Sequence, residues 1–366
     1  MKFSIQRENL LKPLQQIIGV VERRQTLPVL GNVLIQSSDK GLTLTATDLE
    51  VELVATIEQN LEDGGEATLP ARKLFDICRA LPEGSTLEIS IEQDRALVKS
   101  GRSRFTLSTL PAGDFPVIEE MKTALSFSLP EKALKEIIER THFAMAQQDV
   151  RYYLNGLMLE VDTDALRAVA TDGHRLAMSE VAAETGVEEK TQIIVPRKGV
   201  QELLRSLESS DAEVTVQLGT NHIRINTPEL QVTSKLIDGR FPDYERVMPK
   251  GGDKVITADT TGLRQALSRT SILSNEKYRG IRLSLDSNSL RIQAHNPEQE
   301  EAEEELEINY SSDPLEIGFN VTYLLDALSA LPGEEVRILL SDANSSCLID
   351  APDGGPNRYV VMPMRL

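Results

Sequence analysis

Acid–base chemistry in this 366-residue chain has one natural candidate, Asp172 with His174 two positions on. A carboxylate that orients an imidazole makes a general base, and an acidic hydrolase using this pair is one reading of the sequence. The other reading is that Asp-Gly-His is simply a turn. No Ser or Cys nucleophile motif stands nearby, and there is no Walker-type loop, GxGxxG, HExxH or paired-cysteine site. The sequence therefore calls for no metal and no cofactor.

Asp172 closes a stretch that recurs. Leu166–Asp172 has a counterpart at Leu42–Asp48 and another at Leu290–Asn296, 124 residues apart each time. The flanks keep register: Leu10 matches Leu134, Leu30 matches Leu154, and Phe115-Pro116 matches Phe241-Pro242. Pro70–Leu81 likewise answers to Pro196–Leu207 and to Asn320–Leu331. Three divergent copies of one unit follow, with boundaries expected at 1–122, 123–250 and 251–366. His174 does not recur, since Asp48 and Asn296 are followed by Leu49 and Pro297.

Each copy must position its residues with the same elements, giving an α+β fold. A short strand leads into an amphipathic helix, as where Leu10, Leu11 and Leu14 mark one face of Arg7–Gln16, and three strand-like runs follow. The pattern then restarts, so each copy is two strand-helix-three-strand halves. The six expected helices are Arg7–Gln16, Ala71–Ala80, Glu131–Arg140, Arg197–Ser206, Gly262–Thr270 and Asn320–Ala330. Gly and Pro mark the joints, at 62–65, 82–84, 111–113 and 249–252.

Units of about 120 residues are each large enough to bury a core. No apolar run reaches the roughly 18 residues that span a bilayer, and Lys2, Arg7 and Glu8 interrupt any signal-peptide core. Two cysteines, Cys78 and Cys347, form no disulfide framework. A cytoplasmic protein without membrane partners is expected.

A net charge of −18 opposes nucleic-acid binding only if it is evenly spread. The six helices hold 13 Lys plus Arg against 7 Asp plus Glu, which leaves 26 against 50 elsewhere. Positive helices thus sit in a negative shell, although basic residues are also ordinary helix formers. The ends differ too. Lys99–Phe105 is basic, whereas Glu298–Glu307 carries seven Glu in ten residues. The acidic run reads as a solvated edge that blocks aggregation, or as one half of a head-to-tail contact between chains that closes a ring. Twelve helices from two chains, at about 9 Å spacing, make a circle about 34 Å across with a hole on the order of 23 Å. A nucleic-acid duplex fits such a hole.

The repeats, together with Tyr359–Leu366, Ala170–Leu176, Asp149–Gly156 and Asn296–Glu304, closely resemble the bacterial DNA polymerase III beta subunits, the sliding clamps, over the whole chain. The resemblance implies three DNA-clamp domains per chain and a head-to-tail homodimeric ring, with helices inside and sheets outside. Such a ring encircles double-stranded DNA without reading sequence and acts as a non-catalytic processivity factor for the replicative polymerase. It implies DNA contacts at Arg24, Arg72, Gln148, Tyr152, Tyr153 and Lys198, with the alternative for the tyrosines that at least one ring is core. It implies a cleft for partner peptides at Leu154, Thr171, Gly173, His174, Arg175, Leu176, Pro242, Arg246, Val247, Tyr278, Asn320, Tyr323, Ser346, Val360, Val361, Met362, Pro363, Met364 and Arg365. The peptides would come from the clamp loader, the replicative and translesion polymerases, ligase and mismatch-repair proteins. Asn344 and Tyr278 depart from the family's more apolar pattern and imply a more polar pocket floor. Without the family, Val360-Val361-Met362 reads as a buried last strand. Ring closure is assigned to an apolar centre of Phe105, Leu107, Ile272 and Leu273, with Lys73, Arg102 and Arg104 facing Glu298, Glu300, Glu301 and Glu303.

Overall fold

The computed structural model describes residues 1–21, 27–38, 41–59, 61, 63–118 and 121–365. Arg24, one of the expected DNA contacts, and Leu366 lie outside them.

Among the described residues, six strand-helix-three-strand halves follow one another. The first is β1 (Lys2–Gln6), α1 (Arg7–Ile17), β2 (Asn32–Ser38), β3 (Gly41–Thr47) and β4 (Val51–Glu58). The second is β5 (Glu66–Pro70), α2 (Ala71–Ala80), β6 (Thr86–Glu92), β7 (Arg95–Ser100) and β8 (Ser103–Ser108). The middle repeat supplies β9 (Leu125–Pro130), α3 (Glu131–Glu139), β10 (Gly156–Val161), β11 (Ala165–Thr171) and β12 (Arg175–Ala182), then β13 (Thr191–Pro196), α4 (Arg197–Ser206), β14 (Glu213–Leu218), β15 (His222–Asn226) and β16 (Leu230–Lys235). The last supplies β17 (Lys254–Asp259), α5 (Thr260–Thr270), β18 (Gly280–Asp286), β19 (Ser289–His295) and β20 (Glu301–Glu307), then β21 (Leu315–Asn320), α6 (Val321–Ala330), β22 (Glu335–Leu340), β23 (Cys347–Asp350) and β24 (Arg358–Val361).

Local patterning explains these elements. In α1 the buried residues Leu10, Leu14 and Ile17 recur at helical spacing, and in β6 Leu87, Ile89 and Ile91 alternate with outward polar residues. Asp259 and Asn320 cap α5 and α6 by accepting from the backbone N–H of Gly262 at 2.5 Å and of Thr322 at 2.9 Å. Cys78 and Cys347 are buried free thiols, pushed up to about 12 by burial, so neither is poised as a nucleophile.

Within each repeat the two halves exchange their first strands. β5 joins β2-β3-β4 while β1 joins β6-β7-β8, and the later repeats do the same. Antiparallel pairing of β4 with β16, and of β12 with β24, then fuses four-stranded sheets from successive repeats into two eight-stranded ones. Two four-stranded sheets remain, ending at β8 and at β20. The compact units consequently cut across the repeats: residues 1–135 with 198–236 form one, and residues 136–197 with 237–366 form the other.

The recurring Thr-Asp stretch is a turn lock at the end of β3 and of β11. Asp48 Oδ1 accepts from the N–H groups of Glu50 and Val51 at 2.9 and 2.8 Å, and Asp172 Oδ1 from those of His174 and Arg175 at 2.9 and 3.1 Å. The preceding threonines donate to the carbonyls of Val51 and Arg175. Leu49 and Gly173 occupy matching places with φ of 79° and 89°, a region where only glycine is at ease.

Candidate functional site

The second unit contains an apolar cavity of about 290 Å³. Its floor is continuous with a core cluster that includes Leu154, Leu176, Phe241, Tyr244 and Val360. Strands β12 and β24 are hydrogen-bonded with Leu176 opposite Val360, and both of these side chains reach the cavity. Thr171, Gly173, His174, Arg175, Pro242, Val247 and Met362 complete the expected part of its wall. Arg151, Phe241 and Tyr244 also line it and were not foreseen. Phe241-Pro242 was visible as a repeated pair; nothing local marks Arg151 or Tyr244.

Tyr244 is held from beneath. Its hydroxyl donates to Glu160 Oε1 at 2.9 Å, and Glu160 is 1% exposed. Arg167 Nη1 and Lys190 Nζ reach the same oxygen at 2.7 and 3.1 Å, and Gln192 donates to Oε2 at 2.8 Å. Burial opposes ionisation of Glu160, but these donors outweigh it and hold the carboxyl below its ordinary value. Burial, reinforced by Glu160, pushes the Tyr244 phenol up, so it remains a donor. Beyond Tyr244 lies a larger cavity of about 660 Å³, lined by Asp162, Arg167, Glu180, Lys190 and Arg358 among others. Arg167 and Lys190 are paired with carboxylates there. The smaller cavity, apolar with a few polar groups at its rim, is the better receptor for a hydrophobic side chain.

Arg175 is fixed at that rim. It contacts Asp172 at 3.1 Å and Asp326 at 2.5 Å, donates to the Phe143 carbonyl at 2.8 Å, and lies 4.5 Å from the Tyr323 ring centroid. Arg151 chelates Asp149 through bonds of 3.0 and 2.8 Å, which draws the Asp149 carboxyl down to about 2. Asp172 spends one oxygen on the turn and the other on Arg175, so it does not hold the His174 ring as the hydrolase reading requires. Among the described residues no group of His, Cys, Asp and Glu is arranged for a metal, and no helix is long and apolar enough to cross a membrane.

The remaining expected cleft residues do not line this cavity. Asn320 caps α6, Tyr323 stacks on Arg175, and Met364 donates its N–H to the Gly318 carbonyl at 2.8 Å. Val361 is buried in β24, while Ser346, Pro363 and Met364 are half-buried and Arg365 is exposed. Arg246 pairs with Asp243 at 2.8 Å, and Tyr278 is exposed beneath Lys277. Neither Tyr278 nor Asn344 reaches the cavity; Asn344 is exposed in a turn whose N–H bonds Asp342. The expected polar floor is therefore absent from the lining, whose polar groups are on the rim. The last strand is buried, and its Val360 also lines the cavity.

Of the expected DNA contacts, Arg72 and Lys198 belong to the first unit and Gln148, Tyr152 and Tyr153 to the second. Arg72 is exposed on α2 and donates to the Val21 carbonyl. Gln148 is exposed with φ of 55°. Tyr152 is 56% exposed, while Tyr153 packs on the core cluster, its ring edge-on to Tyr152 at 5.7 Å.

Models of the DNA polymerase III beta subunit match the N-terminal domain at residues 1–119, the central domain at 128–243 and the C-terminal domain at 245–365. This chain belongs to that family. It is 59% identical to the beta sliding clamp of Pseudomonas aeruginosa and 52% identical to that of Escherichia coli, over the full length of each. A crystal structure of the Pseudomonas aeruginosa clamp superposes with a TM-score of 0.97 at 58% identity, and that of Caulobacter crescentus with 0.94 at 37%, both covering all of each chain. Another structure of the Pseudomonas aeruginosa clamp, 58% identical and alike over the whole chain with a TM-score of 0.97, is bound to griselimycin. As a sliding clamp, the chain is a processivity subunit of DNA replication.

Two outcomes follow for the clamp's cleft. Tyr244→Ala should cost about 3–5 kcal/mol of stability by opening a cavity beneath the cleft, measured by chemical denaturation. Glu160 is depressed in the folded protein, so its stabilisation is full above the unfolded carboxyl value of about 4.3 and is lost as pH falls through the lower folded value. Glu160→Gln should destabilise the protein at pH 7 and flatten the acid limb of the stability–pH profile.

Proposed function

We propose that two copies pair head to tail, β8 of one against β20 of the other, to close a ring around duplex DNA. The observation that carries this is the pattern of paired and unpaired edges. β4 and β12, the counterparts of β20, are each hydrogen-bonded to β16 and β24, the counterparts of β8. Among the described residues only β8 and β20 lack that partner, and joining them makes a third eight-stranded sheet of the same order. Their chemistry is complementary. Arg102 and Arg104 are exposed at β8, and Glu298, Glu300, Glu301 and Glu303 are exposed at or beside β20. Ile272 is 75% exposed and Leu273 half-buried, matching Phe105 and Leu107 as an apolar centre. Lys73, exposed on α2, belongs to the basic side. The apolar centre supplies most of the affinity and the charges the orientation, because exposed ion pairs contribute little.

Inside the ring Arg72, Lys198, Gln148, Tyr152 and Tyr153, with Arg24 from outside the described residues, meet phosphates without reading bases. The cleft holds short peptides of a polymerase, an ATP-driven loader and repair proteins. A polymerase so tethered rebinds the primer end intramolecularly, which raises its effective concentration. The three clamp domains keep the boundaries 1–122, 123–250 and 251–366.

Replacing both Ile272 and Leu273 with Ala should weaken the dimer by about 100-fold or more, since each buried aliphatic side chain contributes about 1.5–3 kcal/mol. Sedimentation equilibrium reads this directly. Loaded onto nicked circular DNA, the protein should persist until the circle is cut and then run off the ends; equal loss from circular and linear DNA would reject encirclement.

A further inference from the structure

Asp48 and Lys198 form an ion pair inside the first unit, although 150 positions separate them. The turn lock explains why Asp48 is available. In the middle repeat the second oxygen of the equivalent Asp172 is taken by Arg175 of its own turn, at 3.1 Å. Val51 stands at the place of Arg175 and offers that oxygen nothing. Asp48 Oδ2 is met instead by Lys198, at the start of α4. The Asp48 side chain is 6% exposed and that of Lys198 30%, so the pair is shielded on its acidic side and open on its basic side.

A second carboxylate stands one helical turn along. Glu202 is 2% exposed; its Oε1 accepts from Arg205 at 2.7 Å, and its Oε2 is buried with no hydrogen-bond partner among the described residues. The backbone at Gly19 closes over it, where an added Cβ would lie 2.5 Å from Oε2. Lys198 thus pairs with Asp48 and Arg205 with Glu202. Arg72, the counterpart of Lys198 in the first repeat, differs in kind, because its guanidinium donates to the neutral Val21 carbonyl.

The geometry points to Asp48 as an attenuator of DNA contact: it competes with phosphate for Lys198 and so limits how strongly this wall holds the duplex. The inference rests on the proposed reading that Lys198 meets DNA. A clamp that slides needs contacts that exchange readily, and a lysine handed between a fixed carboxylate and passing phosphates is such a contact. Each handover exchanges one ion pair for another, so neither state leaves the ammonium bare.

Asp48→Asn tests this while keeping the turn, since the amide oxygen still accepts from Glu50 and Val51. Asp48→Ser, which also retains an acceptor oxygen, is the second variant, and each is compared with the parent by thermal melting. Binding of the full-length protein to a short fluorescent duplex is followed by anisotropy across a potassium chloride series. Asp48→Asn should tighten binding several-fold at low salt and steepen the slope of log K against log salt by up to about 0.9, the limit set by one full phosphate contact. Lys198→Gln should weaken binding, and Asp48→Asn should add nothing to it. If Lys198→Gln weakens binding but neither Asp48 variant tightens it, the attenuator is wrong and the DNA assignment stands. If Lys198→Gln changes nothing, the DNA assignment fails and the inference with it. A gain that survives in the double variant overturns the pairing in favour of a general charge effect.

Discussion

A β-strand at the rim of a sheet exposes a row of N–H and C=O groups that must be paired or solvated, and this clamp is arranged around where those rows go. Exchange of first strands within each repeat creates sheets that end on the third strand of a half. Two of these edges are satisfied by the next repeat, in the β4–β16 and β12–β24 pairs. At β8 and β20 we propose that a second copy meets the same requirement, so that the proposed pairing continues the rule that joins the repeats within the chain, with glutamates and arginines selecting one orientation over indiscriminate edge pairing.

The cleft uses a different economy of polar groups. Its floor is apolar, but the residue that shapes it, Tyr244, carries a hydroxyl that burial would penalise if unpaired. Glu160 accepts that hydroxyl, and Arg167, Lys190 and Gln192 in turn satisfy Glu160. The ion network is thus the support of a greasy pocket. At the rim, Asp172 and Arg175 are immobilised by the turn lock and by aromatic stacking, which presents His174 and Gly173 on a rigid edge.

Periodicity carried the halves well. The expected helix Arg7–Gln16 is observed as Arg7–Ile17, Ala71–Ala80 and Arg197–Ser206 coincide, and Gly262–Thr270 begins two residues earlier because Asp259 caps it. Leu154, Leu176 and Val360, named from the family's motif, do line one cavity. Arg151 and Tyr244 escaped notice because a cavity wall is a property of neighbours in space. The polar floor expected from Asn344 failed for a related reason: the residue type was read correctly, but its loop turns on Asp342 and leaves it exposed.

By itself the sequence determined the threefold repeat, the order of strands and helices, the separation of basic helices from acidic surroundings and the family, since all of these reside in residue type and spacing along one dimension. Tertiary structure alone decided which strand lies beside which. Alternation tells a strand which face to bury and leaves its hydrogen-bonding neighbour open, so the exchange of first strands was not legible. It also decided the partners of individual polar groups, Tyr244 with Glu160 and Asp48 with Lys198. Each of those pairs joins residues far apart in the chain through burial and distance, and neither quantity exists until the backbone has folded.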